Sequence, residues 1–110
     1  MAYTPKVLYP SNTPATGGGV LYTVPTATSA IVKNIVMTNV TSSEAKITLS
    51  VVPSGGSPST SNRILSEFAV PPNGISTLDM SLVMSAGSFL HGANQTSGAI
   101  VVAISGVEVA

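Results

Sequence analysis

Clusters of Gly, Pro, Asn and Ser interrupt this chain at 10–19, 25–29, 41–43, 53–62, 71–74, 85–88 and 92–98, and between them lie runs dense in Val, Ile, Leu, Thr and Tyr. That rhythm constrains the fold more than any other feature. An amphipathic helix needs apolar residues recurring at i, i+3, i+4 and i+7 between caps, and no window sustains that pattern. Short β-branched runs closed by turn formers make a sandwich or barrel instead. The strand candidates are 6–9, 20–24, 29–40, 44–52, 62–70, 75–83, 88–94 and 98–109. The expectation is all-β: an antiparallel two-sheet β-sandwich of jelly-roll or immunoglobulin-like type, with seven to eight strands. One helical turn, in "SLVMSAG" (81–87), is the most helix expected.

The runs also carry local instructions. In "EAKITLSVV" (44–52), Ile47, Leu49 and Val51 alternate with Lys46, Thr48 and Ser50, so the first set is expected inward. "TSS" (41–43) is short enough to be a hairpin turn between the third and fourth strands. "PPNG" (71–74) is a turn with a mechanism: Pro presets φ near −65° and Asn-Gly accepts positive φ. The strands at 88–94 and 98–109 are expected to form the last pair. "PSGGSPSTS" (53–61) is a polar loop expected at an exposed tip.

A chain of 110 residues makes one domain. Residues 20–110 are read as the sandwich and 1–19 as an N-terminal arm and linker, since "PSNTPATGGG" (10–19) has linker composition. Two placements are open to "MAYTPKVLY": an edge strand of its own domain, or an arm laid across a neighbour by strand addition.

"IVKNIVMTNV" (31–40) raises the question of what covers the second side of a sheet. Strict alternation puts Ile31, Ile35 and Met37 on one face and Val36 and Val40 on the other, and neither face is clearly wet. The core is expected to take one. The N-terminal segment or a neighbouring subunit is expected over the other. Charge supports assembly: only 7% of residues are charged and the formal net charge is zero, against roughly 25% charged in an average soluble domain. Ser and Thr, about a quarter of the chain, take their place. A neutral surface favours association, although a Ser/Thr-coated monomer is the plainer reading. Tyr3, Tyr9 and Tyr22 all fall in the first quarter of the chain. With Val36 and Val40 they are the candidate subunit-contact residues, tyrosine combining large area with a polar handle.

Other function classes find little support. The scattered cations Lys6, Lys33, Lys46 and Arg63 form no patch for nucleic acid. Without cysteine there is no disulfide, thiolate metal site or cysteine nucleophile. His91 is the lone histidine. It could join Asp79 and a serine in a triad, but no G-x-S-x-G elbow surrounds any serine, so a strand-end histidine beside Gly92 is the simpler reading. "TGGGV" (16–20) lacks the lysine and helix of a phosphate cradle and reads as a hinge. Ion pairs of Glu67 or Asp79 with Arg63 or Lys33 are possible surface contacts. Met37, Met80 and Met84 read as core or contact filler. A sugar-binding sandwich would want an aromatic platform, which loop 53–61 lacks. No enzyme, cofactor or metal is expected. The opening "MAYTPKVLYP" has no signal-peptide pattern and no apolar run reaches membrane length, so synthesis in the cytoplasm of the producing cell is expected, without a membrane partner. Two Asn-X-Thr acceptor patterns, at Asn39 and Asn94, then read as coincidence.

"VLYTVPTATSAIVKNIVMTNVTSSEAKITLSV", then "NRILSEFAVPPNGISTLDMSLVMSAGSFLHG", then "GAIVVAISGVEV" resembles a family of small bacteriophage virion proteins. Its members read as an "LYTVP" strand, an "IVKNIVxTN" strand, a polar hairpin, "VPPNGxxTLDxxLVMxAG" and a closing "GxVxVxISGVE". The likeness covers roughly residues 20–109. It implies a jelly-roll or immunoglobulin-like sandwich serving as capsid cement or decoration, or in a tail, baseplate or fibre. The partners implied are the major capsid protein and copies of itself, a trimer being the expected oligomer, and the location is the virion, assembled in the host cytoplasm. The pattern has a polar or acidic residue after "AG" leading a strand that begins "DxI", and here Ser88-Phe89 stands instead, so no ion or ligand role carries over to that turn.

Overall fold

The computed structural model describes residues 3–110. Among the described residues eight strands form: β1 (Tyr3–Asn12), β2 (Gly19–Thr23), β3 (Ser29–Asn39), β4 (Ala45–Val52), β5 (Arg63–Val70), β6 (Ile75–Met84), β7 (Phe89–Asn94) and β8 (Ile100–Val109). The one helical turn among the described residues is a 3₁₀ turn at Thr60–Asn62, not at 81–87. Residues 81–84 instead complete β6, where Leu82 and Met84 keep the inward phase of a strand that alternates along its whole length.

The strands lie in two four-stranded sheets, β1-β8-β3-β6 (sheet I) and β2-β7-β4-β5 (sheet II). Pairing is antiparallel throughout, and the partners nest: β1 with β8, β2 with β7, β3 with β6, β4 with β5. A long hairpin rolled up in this way is a jelly roll, so of the two sandwich types expected this is the one formed. The nesting corrects two local expectations. β3 lies in sheet I and β4 in sheet II, so "TSS" is a corner between sheets and not a hairpin turn. Likewise β7 and β8 are not partners, because the connection between them crosses the sandwich. Local composition is the same for a hairpin and a corner; the partner strand decides between them.

The core fills the gap between sheets with Ile35 and Met37 of β3, Val102 and Ile104 of β8, Ile47 and Leu49 of β4, and Leu90 of β7. At the β3–β4 corner Asn39 is buried, and its Nδ2 donates to the carbonyls of Ser43 (2.7 Å) and Val70 (3.0 Å). Its Oδ1 accepts from Thr41 N (2.9 Å) and Thr41 Oγ1 (2.7 Å). All of the amide's bonding capacity is used, three of the four bonds going to backbone that would otherwise be stranded at the corner and the fourth to the Thr41 hydroxyl. The "PPNG" turn forms as its residues require, with Gly74 N donating to Pro71 O (3.0 Å) and Asn73 at φ 51°.

Residues 3–12 pair along β8, which is the edge-strand placement of the N-terminal segment; residues 1 and 2 of the expected arm lie outside the described residues. Pro5 and Pro10 are tolerable because an edge strand leaves one row of backbone groups free. The segment after β1 is tied down as well. Buried Pro14 accepts from Asn94 Nδ2 (2.9 Å), and the Ala15 carbonyl accepts from Gly18 N and Asn94 N.

Candidate functional surfaces

Two surfaces stand out, the outer face of each sheet, and they differ in kind. On sheet I the register sets the outward rows. Pro5, Val107, Ile31 and Val83 share one row; Val7, Ser105, Asn34 and Asp79 the next; then Ala103, Val36 and Thr77; then Val101, Thr38 and Ile75. Val7, Ile75 and Val83 are 61%, 62% and 67% exposed. Among the described residues the only charges in this field are Lys33 and Asp79, each held by a neutral partner: Lys33 Nζ donates to Ser81 Oγ (2.8 Å), and Asn34 Nδ2 donates to Asp79 Oδ1 (2.8 Å). No segment of the described chain crosses this face.

The phase along β3 is not the one strict alternation gives. A bulge falls between Val32 and Asn34, seen in the pairing with both β6 and β8, and it leaves Lys33 and Asn34 both outward. Ala30 and Val32 therefore point in on one side of it, and Ile35, Met37 and Asn39 on the other. Ile31, expected with Ile35 and Met37, lies on the outer face beside Val36.

Sheet II has a partly covered outer face. The loop 53–61 is exposed throughout, as expected, and it folds back so that Gly56 sits beside Val52 and Ser59 beside Ser50 of β4. Ser50 and Val52, outward in phase, are 3% and 0% exposed as a result, while Ile47, Leu49 and Val51 point inward as expected. Asn62 fixes the loop, accepting from Ser59 N (3.0 Å) and donating to Ser57 O (3.1 Å). Beside the loop lies a cleft of about 180 Å³ lined by Thr48, Ser50, Pro58, Ser59, Arg63, His91 and Ala93.

The candidate contact tyrosines separate. Tyr3 is exposed, Tyr9 is half-buried against the core, and Tyr22 is buried. Tyr22 Oη donates to Glu108 Oε2 (2.5 Å), and Lys6 Nζ approaches the same carboxylate at 3.3 Å, so the three residues clasp β2 to β8 and β1. The hydrogen bond from Tyr22, with help from Lys6, holds the Glu108 carboxyl below its ordinary range against a smaller opposing effect of burial. Burial first, then the Glu108 bond and charge, push the Tyr22 phenol well above its ordinary value. Val36 is half-buried at the middle of sheet I's outer face, and Val40, just past the end of β3, is exposed.

Lys6–Glu108 is the one ion pair among the described residues. The pairings expected of Glu67 and Asp79 are not made: Arg63 Nη1 donates to Ser66 Oγ, and Asp79 accepts from Asn34. His91 and Asp79 are not brought together, since β7 belongs to sheet II and Asp79 points out from sheet I. No group of three His, Cys, Asp or Glu among the described residues could hold a metal. "TGGGV" is packed at one point: at Gly18 (φ +85°) a Cβ would clash with the His91 ring, whereas nothing lies within 4 Å of a Cβ at Gly17 or Gly19. Asn39 and Asn94 are each 1% exposed with Nδ2 donating to carbonyls, so neither amide is available to carry a glycan. Comparison with family models, curated proteins and solved structures finds no match to this chain.

Proposed function

We propose that the protein is a virion structural protein of a bacteriophage, a capsid cement or decoration protein whose sheet I outer face lies against coat subunits and other copies of itself. The observation that carries the assembly reading is that face: a broad, almost uncharged field of branched apolar, Thr and Ser side chains that shows Val7, Ile75 and Val83 to solvent. Four strands of ten or eleven residues present a footprint of roughly 600 Å² at ordinary strand spacing and rise. A standard interface takes about 800 Å² per partner, so one neighbour could cover the whole face. Repetition around a symmetry axis multiplies such contacts into firm attachment. The phage assignment adds the sequence resemblance in 20–109 to this physical argument. A tail, baseplate or fibre component is the second reading, because it would use the same face.

Quantitative gels of purified virions test both parts. Hundreds of copies per particle mean the capsid, a few to dozens mean the tail, and absence from the particle ends the virion reading. The face has its own test: Val36→Glu with Val83→Glu puts two anions in the apolar field. The isolated variant should keep its fold, since both positions face outward, and should be missing from particles. Normal incorporation would remove sheet I from the interface.

A further inference from the structure

We infer that the cleft on sheet II binds a small oxyanion, a carboxylate or phosphate group, bridged between Arg63 and His91 over Ser50. The inference stands on the cleft alone and does not depend on the virion reading. Its basis is register. His91 of β7 pairs with Ser50 of β4, and Ser50 pairs with Arg63 of β5, so the three lie in one row across neighbouring strands. Two strand spacings, roughly 10 Å, separate the outer two. The small serine between them leaves a floor where two larger donor-bearing side chains converge.

The chemistry of the lining selects the ligand. Among the described residues, Arg63 is the only formally charged one lining the cleft, and no carboxylate lines it. Its guanidinium has five N–H donors, of which one bond to Ser66 Oγ is made (2.9 Å), leaving a fork suited to a planar or tetrahedral oxyanion. His91 makes no side-chain hydrogen bond among the described residues, and it carries an N–H donor in either protonation state. Thr48 Oγ1 already accepts from Glu67 N (3.1 Å), which leaves its hydroxyl hydrogen free to donate. Ser59 in the covering loop and Ser50 in the floor add two more hydroxyls.

The site is also built before any ligand arrives. The Gly18 backbone lies so close to the imidazole that a side chain there would displace it, and Asn62 holds the loop wall that carries Ser59. At about 180 Å³ the cleft is smaller than the roughly 300–1,000 Å³ of sites for drug-sized ligands. It admits a single anionic group with a few attached atoms and not a sugar chain.

Titration of the whole protein with acetate and, separately, inorganic phosphate, at ionic strength held constant with chloride, tests the site by NMR of the His91 imidazole and the Arg63 side chain. Saturable shifts of both residues with either anion are expected, and which anion binds tighter identifies the oxyanion. Arg63→Gln, a change at an exposed position, should weaken binding at least tenfold while leaving the thermal melt in place. Gly18→Ala should weaken it by displacing His91, without removing any group that touches the anion. Shifts no larger than those chloride gives, or equal binding by Arg63→Gln, would overturn the inference.

Discussion

At the scale of single residues, the clasp of Tyr22, Glu108 and Lys6 makes stability depend on pH at both ends of the range. Glu108 titrates lower in the fold than in the unfolded chain, so its contribution is complete above the ordinary carboxylate range. It is lost as the pH falls through the folded value. Tyr22 titrates higher in the fold, so its contribution is complete below the ordinary tyrosine value of about 10 and lost as the pH rises beyond it. Tyr22→Phe keeps the ring and removes the hydroxyl. Thermal melts from acid to alkaline pH should show the variant less stable at neutrality, with a flatter profile on both flanks; Lys6→Met should soften the acid flank more than the alkaline one. A Tyr22→Phe profile parallel to that of the parent protein would sink this account. The clasp was hard to see in advance, because Tyr22 and Glu108 are 86 residues apart and their meeting depends on which sheets β2 and β8 join. Asn39 was hidden for a related reason: "NVT" states a modification pattern, whereas its use as a corner brace depends on the carbonyl of Val70 in another strand.

Elements were far more legible than their partners. Seven of the eight runs of branched residues coincide with strands to within two residues, whereas the first, read as 6–9 and closed by Pro10, extends over Tyr3–Asn12 into the expected linker because β8 supplies it with a partner; the turn chemistry of "PPNG" operates as its residues dictate, because these properties live within a few residues of chain. Pairing does not. The bulge at Lys33 changes the phase of β3 midway, and nothing in the alternation of "IVKNIVMTNV" marks it, since both of its faces are apolar enough to face inward. Its signature is in β6 and β8, whose register shifts at the same point. The consequence is measurable. Val32 is 0% exposed on the core side, whereas Ile31 is half-buried on the outer face. Val32→Ala should cost about 2 kcal/mol, the burial of a valine side chain, and Ile31→Ala well under ~1 kcal/mol in the isolated protein. Urea unfolding midpoints at a common slope read the difference. If Ile31→Ala is the costlier change, the bulge is in the wrong place.

The whole molecule is two-sided, and its sidedness connects the sparse charge to attachment. Composition alone showed that something other than charge must cover the surface; the fold shows where. Sheet II is dressed by its own loop and carries the polar cleft, while sheet I shows Val7, Ile75 and Val83 to solvent. An interface built on sheet I would gain its free energy from apolar area, which mobile ions do not screen. Its two charges already have neutral partners within the chain, so salt has little to compete for. Excluded salts such as sulfate strengthen apolar burial, whereas urea weakens it. Washing particles in rising sodium chloride should therefore leave the protein attached through ionic strengths at which the Debye length falls to about 3 Å. Sulfate should tighten retention, and urea below the unfolding midpoint should release the protein. Sedimentation of the washed particles followed by gel quantification reads all three. Release by chloride alone would mean that ionic contacts hold the protein and that sheet I is not the attached face.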